Sequence, residues 1–344
     1  MFFSVSADQA KVRVAAYLLL TMAPLAVAAP LLVRVLDRGG FRRAVTFGAA
    51  VFRGFAAALL ASRTDTWLLF PLAFAALVAA RVHLVSKNAL TAAYAERVGL
   101  VNENALLSRV AAISATLAAI PGVIAVKFGG SGAVVILAVV AYGGCALLSL
   151  RLPAAPEPPR GTEGEFPRLS RMVRAVGDGM TGIRGGTGFL VLLIAFSLRR
   201  VDGPTYWLGI LVGALAVGTF LGAFLAPRLA HDGREEAVML GSLVLTALGA
   251  LVASIQFSLP MLGVFVLLAG VASETARLGF QSLIQKEAGP GAEGRTYVRY
   301  EVRFQLAWVA GAFLPAMLPI TFRPGLVILA ALYVGVAIWI QIRD

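Results

Sequence analysis

The chain has 344 residues, of which 59% are hydrophobic and only 14% charged, and its mean hydropathy is +0.85. That is too little charge to cover a soluble surface of this size, which excludes a water-soluble globular protein. The net charge of +12 does not indicate nucleic acid, because the basic residues fall in short gaps between apolar runs.

A helix needs about 20 apolar residues to cross a hydrocarbon core of about 30 Å. Eleven such spans are predicted, at about 14–33, 44–62, 66–90, 107–127, 132–150, 180–198, 206–229, 236–256, 260–284, 301–321 and 324–342. They read as helices, since membrane strands would be half as long and alternate in polarity. The expected fold class is an all-α polytopic membrane protein.

Charge between the spans gives the expected orientation. Loops on the side of Asp37–Arg43 carry 17 Lys and Arg against 7 on the other side. By the positive-inside rule the first side is cytoplasmic, and the C-terminus lies there too. The N-terminus then lies outside. The one cysteine, Cys145, sits within a span, so no internal disulfide forms.

The longest connection, 151–179, opens with the Pro-rich RLPAAPEPPRGTEGEFP and continues as RLSRMVRAV. In the second part Leu169, Met172, Val173 and Val176 share one helical face. A short helix on the inner membrane surface and an ordinary basic loop are the two readings. This connection divides the chain into an N-terminal bundle (1–150), a linker (151–179) and a C-terminal six-helix bundle (180–344).

The halves repeat. GFRRAVTFGAAV (40–51) aligns with GREEAVMLGSLV (233–244) at an offset of 193, and Arg109 and Pro121 align with Arg303 and Pro315 at 194. In this register the span 180–198 has a counterpart that would begin before Met1. The expectation is a chain that lacks the first helix of a twelve-helix plan.

Two six-helix halves, a long central loop and the run Asp37, Arg38, Gly40, Arg42, Arg43 after the first complete span resemble the major facilitator superfamily of secondary transporters. The family pattern, roughly G-x-x-x-D-R-x-G-R-R, is met except at Val33 and Phe41. The stretch GRTYVRYEVRFQLAWVAGAFLPAMLPI (294–320) is similar to actinobacterial members. The resemblance covers essentially the whole chain. It implies two pseudo-symmetric bundles that rock about a midplane site. It also implies a cytoplasmic latch in which Asp37, Arg38, Gly40, Arg42 and Arg43 meet the end of the eleventh family helix near Arg299 and Arg303. These charges would otherwise serve topology alone.

Charges inside spans are expensive and mark candidate sites. Arg81 and Glu274 fall at equivalent positions of the two halves, where they could pair across the halves or contact substrate and proton. Glu274 is the first choice for proton coupling. The bland alternative is that each ties neighbouring helices together. His83 could relay protons, though a lone histidine is more often a packing residue. Arg53 reads as structural. Arg109 and Arg303 recur in both halves and suggest architecture or gating, with Glu103 and Glu301 as candidate partners. The glycines of GDGMTGIRGGTG (177–188) suit close helix packing rather than phosphate binding, since no strand precedes them and no G-K-[ST] follows.

The resemblance implies a secondary active transporter of a small organic molecule working by alternating access, with proton-coupled export as the finer expectation. The alternative is a non-transporting or truncated relative with a structural or binding role. No enzyme motif, metal cluster or cofactor site is expected. The implied partners are a small-molecule substrate, the lipid bilayer and protons, and the expected state is a monomer in a bacterial cytoplasmic membrane.

Overall fold

The apolar runs are helical in the computed structural model, which describes residues 42–62, 69–94, 99–153, 169–200, 206–229, 234–287 and 293–342. Among these residues are ten helices and no strand. They are α1 (Arg42–Ser62), α2 (Leu69–Tyr94), α3 (Leu100–Gly130), α4 (Gly132–Leu150), α5 (Arg171–Arg200), α6 (Tyr206–Leu229), α7 (Glu235–Ile255), α8 (Leu259–Glu287), α9 (Glu293–Met317) and α10 (Phe322–Ile342). They correspond to ten of the eleven predicted spans. The span at 14–33 and the Asp37 loop lie outside the described residues. Eight of the ten are long and apolar enough to cross a membrane. The other two, α2 and α9, carry Arg81 and Lys87, and Glu301 and Arg303.

Local chemistry fixes several ends. Ser170 and Ser258 accept from the amides of Val173 and Met261, capping α5 and α8. Glu235 and Glu236 sit in the first turn of α7, where the helix dipole favours anions. Between α3 and α4 there is no loop. Gly130 alone turns the chain, at φ 65° and ψ −159°, a region open only to glycine.

One expected element differs. The stretch expected as a separate surface helix or loop is the first turns of α5, unbroken from Arg171. Val173, Val176 and Met180 form one stripe buried in the bundle, continuous with the span that follows. Gly177 and Gly179 do not break the helix. They make room for the Tyr300 ring and the Met239 side chain.

The helices form two bundles with matching internal packing. In the first, α1 packs on α2 and α4; in the second, α7 packs on α8 and α10. Two close crossings complete the second bundle, α5 with α9 and α6 with α8. Both depend on glycine. A Cβ on Gly188 would stand 2.0 Å from the Trp308 carbonyl oxygen, and one on Gly218 would stand 2.1 Å from that of Leu267. Small residues let helix backbones touch where no hydrophobic force between helices operates. The outer faces remain apolar, with Leu248 and Ile255 on α7 and Val327 and Ile338 on α10 exposed toward the lipid.

Candidate functional site

Connectivity brings the linker-side ends of all ten helices to one face of the molecule; this is the linker end, and the opposite face is the far end. The bundles touch along the linker-side halves of α2, α3, α6, α8 and α9. Arg81 of α2 forms an ion pair with Glu301 of α9 at 3.4 Å. Asn104 of α3 donates to the side chain of Gln285 of α8 at 2.6 Å, and Gln285 donates to the Asn88 carbonyl of α2. The Arg109 guanidinium of α3 lies over the Phe224 ring of α6, 4.8 Å from its centroid. Val101 and Ala105 of α3 pack with Ala223, Ala226 and Leu278 in one buried apolar cluster. Toward the far end α3 is exposed, with Val110, Leu117, Ile124 and Phe128 at its surface.

Above this contact lies a cavity of about 410 Å³, within the range of small-molecule sites. Its wall comes from the second bundle, α5, α6, α7, α8 and α10. Most of it is aliphatic, including Leu190, Leu211, Leu215 and Val266. The charged groups gather at one place, Arg184, Glu274 and Arg277, with hydroxyls of Thr187, Thr219, Thr246 and Ser273 elsewhere in the wall.

Glu274 is buried. Arg277, one turn further along α8, donates to both of its carboxylate oxygens, at 2.5 Å and 2.8 Å. Ser108 of α3 donates to the same carboxylate at 2.5 Å, so Glu274 is held from both bundles. From Arg277 the chain of hydrogen bonds runs to Gln281 at 3.1 Å, and Gln281 donates to the Tyr297 hydroxyl at 3.2 Å. A buried ion pair persists in an apolar interior only when such extra hydrogen bonds satisfy it.

Arg81 and Glu274, equivalent in the repeat, do not pair with each other. Glu301 takes Arg81, and Arg277 takes Glu274. Nor do Glu103 and Glu301 pair with Arg109 and Arg303. Separations of two and six residues place side chains on different helix faces. Arg109 donates to the Ala105 carbonyl of its own helix, and Arg303 pairs with Asp178 of α5 at 2.7 Å. His83 lines a second cavity of about 620 Å³ in the first bundle with Lys87 and Glu103. Arg53 donates to the Tyr142 hydroxyl at 2.8 Å and covers its ring, an α1–α4 tie as expected of a structural residue.

Of the expected latch, Asp37, Arg38 and Gly40 lie outside the described residues, as does the Arg42 side chain. Arg43 donates to the Leu150 carbonyl within its own bundle. Arg299 is exposed on α9. Sequence reasoning passed over Ser108, Arg184, Arg277, Gln281 and Tyr297. Arg184 and Arg277 were open to the same rule that picked out Arg81, a charge within a span.

Two helical bundles that meet at one end beneath a cavity with a charged floor define a membrane protein of the two-bundle type. The profile of the Major Facilitator Superfamily matches residues 2–312, and the chain belongs to that family. The fold is similar to that of the human organic anion transporter MFSD10 (TETRAN), with a TM-score of 0.74 and 17% identity over 95% of this chain and 82% of that one. A bacterial homologue of the iron transporter ferroportin in its outward-facing state gives 0.70 and 16% over 98% and 90%. The Escherichia coli fucose:proton symporter gives 0.61 and 14% over 95% and 93%. In sequence, the uncharacterized protein ML2143 of Mycobacterium leprae is 28% identical over 97% of this chain. Rv0876c of Mycobacterium tuberculosis, also uncharacterized, is 28% identical over 67% of it. The chain spans 65% and 49% of the lengths of these two relatives.

Proposed function

We propose that the chain is a secondary active transporter that binds a small organic molecule in the cavity walled by its second bundle and moves it by alternating access as the two bundles rock. The linker end is cytoplasmic, in keeping with the excess of Lys and Arg there, and the described arrangement is the outward-facing one. One observation carries this reading: the described ties between bundles fall in the linker-side halves of the helices, while α3 is bare toward the far end. Rocking the bundles would break these ties and close the far end.

Glu274 is the proposed coupling carboxylate. It is held by Arg277 in its own bundle and by Ser108 across the gap, so rocking would strip one of its partners. Protonation could then compensate for the lost hydrogen bond, which would link the carboxyl to the conformational step. Proton-coupled export follows as the finer reading.

Val212, exposed and on the cavity wall, reports the conformation. In a Cys145→Ala background, Val212→Cys should react with a membrane-impermeant maleimide from the outside. Adding Arg81→Glu would set two carboxylates together and loosen the linker end. The ion pair is partly solvated, with Arg81 32% exposed, so labelling should slow by only about two- to fivefold. Adding Glu301→Arg should restore it. Labelling that is indifferent to both changes would refute alternation through this contact.

A further inference from the structure

We propose that the cavity selects an organic anion: a molecule with an apolar body and one acidic group, the acid held by Arg184. This rests on the transporter reading for the site's purpose, but the binding claim stands on the site itself.

The charges around the cavity floor do not balance. Among the described residues Glu274 is the carboxylate of the cavity wall and pairs with Arg277, while Glu301, within electrostatic range of Arg277, pairs with Arg81. Arg184 is left over. It projects from the middle of α5 into the cavity, and its Nε is shut off from solvent without a hydrogen-bond partner. Arg184 is half-buried and within electrostatic range of Glu274, but that carboxylate is already engaged by Arg277 and Ser108, so the buried Nε keeps its desolvation cost without a hydrogen bond. Lys87 lies within electrostatic range of Glu274 and Arg277 and adds a further positive charge with no ion pair among the described residues.

Backbone packing explains why Arg184 stays there. The neighbouring Gly185 is pressed against Gly311 of α9, whose own Cβ would stand 1.9 Å from the Gly185 carbonyl oxygen. Gly186 faces the Tyr333 ring, and Gly188 the Trp308 carbonyl. With two faces of this helix turn fixed by contact, one on α9 and one on α10, Arg184 is held on the open side. A planar guanidinium suits a carboxylate or similar oxyanion through paired hydrogen bonds. The rest of the wall, with Leu190, Leu211, Leu215 and Val266, suits an apolar body. A lone inorganic ion would leave that wall unused.

The test uses the purified full chain in lipid nanodiscs and four probes, with affinities read by calorimetry. 2-Naphthoate carries the acid and the apolar body. 2-Naphthamide and 2-naphthylmethylammonium keep the body and change the charge, and acetate keeps the acid without the body. 2-Naphthoate should bind most tightly. Arg184→Gln should weaken it roughly 10- to 100-fold, the loss expected for a charged hydrogen-bond partner, and leave the amide nearly unchanged. Arg184→Lys, which keeps the charge but loses the paired donors, should recover only part of the affinity and shows that the position tolerates change. The proposal is overturned if 2-naphthoate does not bind the monodisperse wild type. It is equally overturned if the amide or the ammonium binds as well, if acetate competes as strongly, or if Arg184→Gln is without effect. The labelling experiment at Val212 needs no ligand, so the two ideas fail separately. Arg184-dependent binding with a rigid contact would keep the anion site and remove the transport reading.

Discussion

Arg277→Ala should cost the protein about 3–5 kcal/mol, the loss typical when one partner of a buried ion pair is removed. The reason lies in what remains. Glu274 is buried, and Arg277 supplies two of the three hydrogen bonds its carboxylate receives, with Ser108 supplying the third. Without Arg277 the carboxylate keeps its desolvation and loses most of its compensation. Thermal unfolding in detergent should show a Tm lower by several degrees. The double variant Glu274→Gln with Arg277→Ala should recover much of this loss, because the amide carries no charge to strand. A double variant no more stable than Arg277→Ala would mean that the pair matters for packing and not for charge. The same cycle separates stability from coupling. Glu274→Gln alone, whose amide oxygen still accepts from Arg277, should lose part of the pair's stability but stay folded, and should lose any proton dependence of transport, whereas a purely structural Glu274 would leave that dependence intact.

Sequence and structure differ most where side chains choose partners. The spans were legible because lipid imposes one rule on all of them: some 20 apolar residues with the backbone satisfied inside a helix. The glycines of 177–188 were legible for the same reason, since a glycine run inside a span has little use beyond close approach. The candidate site was legible one residue at a time. Glu274 stands out as a carboxylate within an apolar run, and Arg81 as its counterpart in the repeat. Their partners did not follow, because the repeat gives equivalent positions, not contacts. Glu301 reaches Arg81 across 220 residues of chain, a pairing that only the docking of α2 on α9 creates. Arg277 was within reach, since a spacing of three places it beside Glu274 on α8. Arg184 hid among the glycines that position it. At 171–176 the helical face of Val173 and Val176 was legible, but Arg171 and Arg174 read as surface, so its continuity with the buried stripe of α5 was not.

Gly311→Val should abolish the folded protein outright. The added Cβ alone would stand 1.9 Å from the Gly185 carbonyl oxygen and 2.7 Å from its carbon, and these are backbone atoms that no rotamer change can move. Overpacking a core costs about 1–3 kcal/mol when side chains can yield; here two helix axes must part. Helices in a bilayer associate through packing, not through escape from water, so a crossing that opens by more than an ångström loses most of its attraction. Size-exclusion chromatography should show aggregate in place of a single peak. Gly335→Val, on α10 where a Cβ would meet nothing within 4 Å, should elute as wild type and controls for β-branching in a helix. If Gly311→Val remained monodisperse, α5 and α9 would have to slide past each other, and the second bundle could not act as one rigid body. That rigidity matters to the site. The α5–α9 crossing fixes Arg184, and the α6–α8 crossing, where a Cβ on Gly222 would stand 2.7 Å from the Val271 carbonyl oxygen, fixes Glu274 one turn away. Both charges then travel with the same body, while Ser108 and Arg81 travel with the other. A rocking motion would change which cross-bundle partners Glu274 and Glu301 have without disturbing the cavity wall.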